Sequence, residues 1–111
     1  RHGCSAIVAD TVAYRRLAKC QVGRDMAVLE VGSSLGDCTR VLQAHAGAVV
    51  GVDVAGDLVE ESRRRHPHCR FEWLDCFEEP GRLRGLLREL RARGRLGLFV
   101  DVGGDRTTAD V

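Results

Sequence analysis

The stretch VLEVGSSLGDCT, residues 28–39, decides the fold and raises the question of which ligand the chain holds. It begins as an apolar run that reaches Glu30 and breaks at Gly32, and a second glycine follows at Gly36. The residues after Gly36 have the pattern of a helix. A buried strand, a short glycine turn and a helix are together typical of a nucleotide-type binding loop.

Strand-like and helix-like segments alternate on both sides of this stretch. Short apolar runs predict four strands, at residues 26–31, 48–53, 69–74 and 96–101. Helices are predicted at residues 10–21, 36–46 and 56–65, and a fourth from Pro80 to Gly94. Strands separated by helices indicate an α/β fold with a parallel sheet.

Two of the predicted helices have recognisable inner faces. In helix 36–46 the residues available for packing are Val41, Leu42 and Ala44. In the helix that begins at Pro80, four leucines at i, i+3, i+4 and i+7 spacing form one apolar face: Leu83, Leu86, Leu87 and Leu90.

The predicted strand ends carry four acids, which are Glu30, Asp53, Asp75 and Asp101. In parallel sheets, ligands bind outside the carboxyl ends of the strands, near the point where strand order reverses. The acids are therefore candidates for ligand binding, although polar residues also end buried strands for simple reasons of solvation.

The bulk composition describes one globular domain over residues 1–111. The chain is 44% apolar and 30% charged with a net charge of +1, which gives no overall attraction to nucleic acid or membranes.

The cysteines number five, which is odd, and form no C-x-x-C pair. This predicts a reducing compartment, cytoplasmic or organellar, and no secretion. No apolar run approaches the ~20 residues of a membrane span, and no membrane partner is expected. Because the chain starts at Arg1, we expect an incomplete chain.

Three nucleotide-type ligands can be compared with the loop. A phosphate-binding P-loop requires a lysine that is absent here. A dinucleotide site uses G-x-G-x-x-G, but Ser34 stands where the second glycine is expected, and the Glu30 carboxylate would repel a pyrophosphate. S-adenosylmethionine has no phosphate and carries a positive sulfonium and amino group. The Glu30 carboxylate favours its cationic end. Asp53 can accept both ribose hydroxyls, a role that dinucleotide folds share, so Asp53 alone does not discriminate between the two ligands.

The residues EVGSSLG (30–36), GVDVAGDLVE (51–60) and FEWLDCFE (71–78) resemble the class I S-adenosylmethionine-dependent methyltransferases. The resemblance extends from about residue 10 to residue 106. It implies a Rossmann-like parallel sheet with helices on both faces and the four predicted strands in the order 3-2-1-4. The family has seven strands, so the resemblance also implies a chain truncated before strands five to seven, which corresponds to the cofactor-binding half.

The resemblance implies a role for each matching residue. The loop would line the methionine part of the cofactor with Glu30, Gly32, Ser33, Ser34 and Gly36. Asp53 would bind the ribose and Val54 would lie beside the adenine. Asp75 would accept from the adenine amino group, the Cys76 backbone would meet a ring nitrogen, and Asp101 would lie near the sulfonium. No catalytic base and no metal ligand is assigned.

Several other residues have both a functional and a structural interpretation. The segment DVGGDR, residues 101–106, either approaches the methyl acceptor or forms a solvated turn. His66, His68 and Cys69 lack a second ligand pair, which disfavours a metal site. The arginines of the helix after Pro80 favour a solvated face over RNA contacts, because Trp73 and the phenylalanines fall in predicted core segments and leave no stacking platform.

Three functions remain open at this point. The first is a methyltransferase whose acceptor is an unidentified small molecule, protein or RNA. The second is a fragment of an NAD-dependent oxidoreductase. The third is a methyltransferase-like module that binds without catalysis. The oligomeric state is not indicated by the sequence.

Overall fold

A computed structural model describes residues 4–9 and 22–101, with side chains for residues 22–100. The strands are β1 (Cys4–Ala9), β2 (Met26–Val31), β3 (Ala48–Asp53), β4 (Arg70–Trp73) and β5 (Arg95–Asp101). The helices are α1 (Asp37–His45), α2 (Gly56–Arg65) and α3 (Pro80–Arg93). The predicted helix 10–21 lies outside the described residues.

The strands form one parallel sheet in the order β1-β5-β2-β3-β4. The four predicted strands correspond to β2, β3, β4 and β5, and their predicted order of 3-2-1-4 is confirmed. The structure adds β1, which the sequence analysis did not predict. This strand pairs with β5, from Cys4 opposite Leu96 to Ala9 opposite Asp101.

The two faces of the sheet carry separate cores because side chains alternate along β2. Met26 and Val28 belong to the cluster under α1, which includes Leu42 and Phe99. Ala27 and Leu29 belong to the cluster under α3. The α/β, Rossmann-like fold with helices on both faces is therefore confirmed.

The inner faces of the helices agree with the predictions in most positions. The leucine stripe of α3 lies on the sheet, with Leu86 and Leu90 buried and its other two leucines half-buried. In α1, Leu42 is buried but Ala44 is exposed, because the helix turns Cys38 and Thr39 inward instead. No helix within the described ranges is long and apolar enough to cross a bilayer.

Candidate functional site

The loop between β2 and α1 has an unusual backbone. Gly32, Ser34 and Gly36 all adopt positive φ angles, of 80°, 53° and 87°. For Ser34 this left-handed conformation costs about 1–2 kcal/mol. Two hydrogen bonds hold it there: its N–H donates to Asp53 Oδ2 at 2.8 Å, and its carbonyl accepts from the Ser62 hydroxyl at 2.7 Å.

Two glycines allow the sheet and the loop to approach closely. A Cβ atom at Gly36 would lie 2.6 Å from Phe71 Cζ, in addition to its strained φ. A Cβ atom at Gly51, in β3, would lie 2.9 Å from both Ser33 Cβ and Thr39 Oγ1. The loop is therefore seated directly on β3 and β4, which fixes its position relative to the strand ends.

Most backbone N–H groups of the loop are engaged inside the chain. Those of Gly32 and Ser33 both donate to the Val52 carbonyl, at 2.9 and 3.0 Å. The Gly36 N–H donates to the Ser33 carbonyl at 2.9 Å, and the Ser34 N–H donates to the Asp53 carboxylate. The Ser33 hydroxyl, by contrast, is buried without a hydrogen-bond partner among the described residues.

Glu30 lies beneath the loop and is completely buried. It follows Val28 by two residues and shares its face of the sheet, where the Thr39 hydroxyl donates a hydrogen bond to Glu30 Oε1. Glu30 does not line the cleft described below. The structure thus places this acid where it supports the loop from α1, and Thr39, which the sequence analysis overlooked, is its partner.

Asp53, the last residue of β3, is held in a fixed orientation. Its Oδ1 accepts from the Ala55 N–H at 3.0 Å and its Oδ2 from the Ser34 N–H. The residue is almost entirely buried, yet it lines the cleft at the carboxyl ends of the strands. Each carboxylate oxygen accepts one of these two N–H bonds and can accept further hydrogen bonds from a ligand.

The cleft has a volume of about 250 Å³ and mainly apolar walls. It brings together half of the predicted cofactor residues, namely Gly32, Asp53, Val54, Asp75 and Cys76. The sequence analysis did not identify the apolar residues that complete it, which are Val31, Val52, Leu74, Phe77 and Val100. This size and polarity suit one flat apolar group with a few hydrogen-bonding edges.

The turn after β4 forms one wall of the cleft. Asp75 Oδ1 accepts from the backbone N–H groups of Phe77 and Glu78, at 2.9 and 3.2 Å, and so fixes the turn. The Cys76 thiol is partly buried, and burial, with a smaller contribution from the Asp75 charge, raises its pKa. Cys76 is therefore a protonated, apolar wall residue at neutral pH.

Three large apolar side chains are exposed near the carboxyl ends of β3 and β4. They are Val54 at 60%, Trp73 at 62% and Phe77 at 93% of their full exposure. The expectation that the aromatic residues lie in the core holds for Phe71 and Phe99 but is wrong for Trp73 and Phe77. Trp73 is held beside Val54, which lines the cleft, because its indole N–H donates to the Val54 carbonyl at 2.9 Å.

The remaining predicted residues lie near the cleft without lining it. Ser33, Ser34 and Gly36 belong to the loop, and Asp101 is the last residue of β5. The segment 102–106 lies outside the described residues. In the histidine cluster, His66 lies 3.1 Å from Asp37, the first residue of α1, and so ties the α2–β4 connection to the loop.

Comparisons with known proteins show a similarity among solved structures. No protein-family model matches the chain, and no curated protein matches it. Among solved structures, 60% of the chain is similar to the crystal structure of the 23S rRNA methyltransferase ErmE, with 27% sequence identity and a TM-score of 0.51. The match covers 29% of the ErmE chain, so this chain corresponds to less than a third of that protein. The chain thus shares its α/β, Rossmann-like fold with a methyltransferase.

Proposed function

We propose that this chain is the cofactor-binding part of an S-adenosylmethionine-dependent methyltransferase. The observation that carries the proposal is the placement of Asp53. Its carboxylate is fixed by two backbone N–H groups where it lines an apolar cleft, beside a loop most of whose own N–H groups are engaged. Such a site favours a nucleoside over a phosphate.

The nucleoside half of the cofactor fits the cleft. The Asp53 oxygens can accept the two ribose hydroxyls while keeping their bonds to Ser34 and Ala55. The adenine ring would lie between Val54 and the turn that holds Cys76. Asp75 would accept from the adenine amino group through its second oxygen, since Oδ1 is occupied by the turn, and the Cys76 backbone would meet a ring nitrogen.

The methionine half would lie along the loop. Gly32, Ser33, Ser34 and Gly36 would form its surface, and Asp101 would approach the sulfonium from the end of β5. Glu30 is a positioning residue in this proposal: it acts through Thr39, by holding α1 and the loop in place.

The bound cofactor supplies a sulfonium methyl group for in-line transfer to a nucleophile. The residues of this chain contribute binding and orientation, which account for much of the acceleration in such reactions. The similarity to ErmE makes RNA one candidate acceptor class, beside a small molecule or a protein. No residue of this chain is assigned as a catalytic base.

The loop is poorly suited to the pyrophosphate of a dinucleotide. A pyrophosphate binds to backbone N–H groups, and those of Gly32, Ser33, Ser34 and Gly36 are already donated within the chain, so it would have to bind at the first turn of α1. The first residue of α1 is also an acid, Asp37, which would repel phosphate oxygens. These observations favour S-adenosylmethionine over NAD.

The proposal is tested by measuring the affinity of the chain for S-adenosylhomocysteine by calorimetry, with and without Asp53→Asn. Hydrogen bonds to charged groups contribute about 1.5–3 kcal/mol, so this variant should bind about 10- to 150-fold more weakly. The matched control is Asp57→Asn, which makes the same change of charge at an exposed acid four residues further along the chain. Its affinity should equal that of the unchanged chain.

A second variant covers the case in which Asp53→Asn fails to fold. Phe77 is almost fully exposed, so Phe77→Ala should leave stability unchanged and weaken binding about 2- to 12-fold if the ligand lies against this ring. Thermal protection by NAD and not by S-adenosylhomocysteine would instead identify an oxidoreductase fragment. No affinity for either compound in the folded chain would leave only the non-catalytic binding module.

A further inference from the structure

Helix α3 has one side on which its charges are paired. Glu79 accepts hydrogen bonds from Arg82, and Glu89 accepts from Arg70 of the neighbouring strand β4. The guanidinium of Arg70 holds the pKa of Glu89 below its ordinary value. The acids of this helix are therefore neutralised on the side that faces β4.

The opposite side of α3 carries arginines without such partners. Arg84, Arg88 and Arg91 are exposed and follow at spacings of four and three, which places them in one stripe along the helix. Within residues 22–100, no carboxylate lies within ion-pair distance of any of the three. With a rise of 1.5 Å per residue, the stripe spans about 10 Å. We call these three residues the arginine stripe.

The arginines of α2 show that this arrangement is specific to α3. Arg63 lies 4.0 Å from Glu60, and Arg64 and Arg65 both contact Glu61. Both helices are rich in arginine, but the α2 arginines are paired, whereas the guanidinium groups of the stripe on α3 are available. Since the whole chain has a net charge of only +1, the positive charge there is local.

Two glycines lower the surface beside the arginine stripe. Gly81 and Gly85 precede Arg84 and Arg88 by three residues and so share their face. A Cβ atom at either glycine would meet nothing within 4 Å, so packing in the described part of the chain does not require them. A glycine within a helix costs about 1 kcal/mol relative to alanine. Here the glycines leave open space along one side of the arginine stripe.

We propose that the arginine stripe binds the phosphate backbone of single-stranded nucleic acid. Arginine is suited to this partner because its planar guanidinium donates two parallel hydrogen bonds to a phosphate. A membrane surface is disfavoured, since helices that bind membranes also insert large apolar side chains, and the exposed ones of residues 22–100 all lie outside α3. Recognition would be independent of base sequence, because the exposed aromatic residues within residues 22–100, Trp73 and Phe77, lie outside α3 and offer no stacking surface beside the stripe.

The test is fluorescence anisotropy with a labelled twelve-nucleotide oligouridylate, at salt concentrations from about 50 to 200 mM. Each phosphate contact to a single strand contributes about 0.7 to the slope of log affinity against log salt. The double variant Arg84→Gln/Arg88→Gln should therefore lower the slope by about 1.4. Over that range the affinity of the unchanged chain should fall about 7-fold more than that of the variant.

The matched control is Arg64→Gln/Arg65→Gln, which removes the same charge from arginines that are already paired. It should keep the slope of the unchanged chain. Gly85→Glu, which leaves every arginine in place and puts an acid beside the stripe, should also weaken binding. All variants should keep their affinity for S-adenosylhomocysteine, which separates this proposal from the proposed function.

Three results would overturn the proposal. One is an unchanged salt slope in the Arg84→Gln/Arg88→Gln variant when its thermal unfolding is normal. Another is an equal loss in the control variant, which would mean that only net charge matters. The third is tighter binding to phosphatidylserine vesicles than to the oligonucleotide, which would assign the stripe to a membrane surface.

Discussion

The support of the loop by Glu30 can be tested by removing the hydroxyl group that binds it. In Thr39→Val the side chain keeps its shape but can no longer donate to Glu30 Oε1. Because both residues are completely buried, no water replaces the lost bond. Removing one partner of a buried hydrogen-bonded group costs about 1–3 kcal/mol, so the free energy of unfolding should fall by that amount. In a domain of this size the melting temperature should fall by at least about 4 °C.

The control for this experiment is Thr39→Ser, which keeps the hydroxyl and loses one buried methyl group. It should cost about 0.8 kcal/mol, less than the valine variant. Both variants are compared by urea unfolding, followed through the circular dichroism of the backbone. If Thr39→Val is as stable as Thr39→Ser or more so, the hydroxyl does not support the carboxylate and the role assigned to Glu30 is wrong.

Two further predictions concern the loop and the cleft. Gly36→Ala should lower the free energy of unfolding by more than about 2 kcal/mol, because the added methyl group would meet Phe71 and the φ angle of Gly36 is positive. Gly85→Ala in α3 should instead raise the free energy of unfolding by up to about 1 kcal/mol. Equal effects of the two variants in urea unfolding would contradict this. Burial raises the pKa of the Cys76 thiol, so the folded chain holds this proton more tightly than the unfolded chain. The resulting stabilisation is fully present below the ordinary cysteine pKa of about 8.5 and should be lost as the pH rises above that value. Iodoacetamide at pH 8.5 should accordingly modify Cys76 more slowly in the folded chain than in urea, and equal rates would contradict the shift.

The fold was largely predictable because its signals are local. The alternation of apolar runs with helical patterns located β2, β3, β4 and β5, and Pro80 marked the start of α3. Strand β1 was missed because its run of six residues is short, and its partner β5 lies some ninety residues away. A parallel pairing of that kind depends on tertiary structure and leaves no mark in the neighbouring sequence.

The sequence predicted which residues lie near the site better than it predicted where their side chains point. Spacing alone located the turn at Gly32 and the carboxylate of Asp53. The side chain of Glu30 lies on the same face of the sheet as that of Val28, because the two residues are two positions apart in one strand. This signal is present in the sequence but was not used in the prediction. Phe77 was placed in the core because apolar residues are usually buried, and only the cleft shows why this one is exposed.

Cofactor binding at Asp53 is tested directly by a crystal structure of this chain grown with equal concentrations of S-adenosylhomocysteine and NAD. We expect S-adenosylhomocysteine in the cleft, with both ribose hydroxyls on the Asp53 carboxylate and the adenine beside Val54. A diphosphate bound to the loop at residues 32–37 would contradict this expectation.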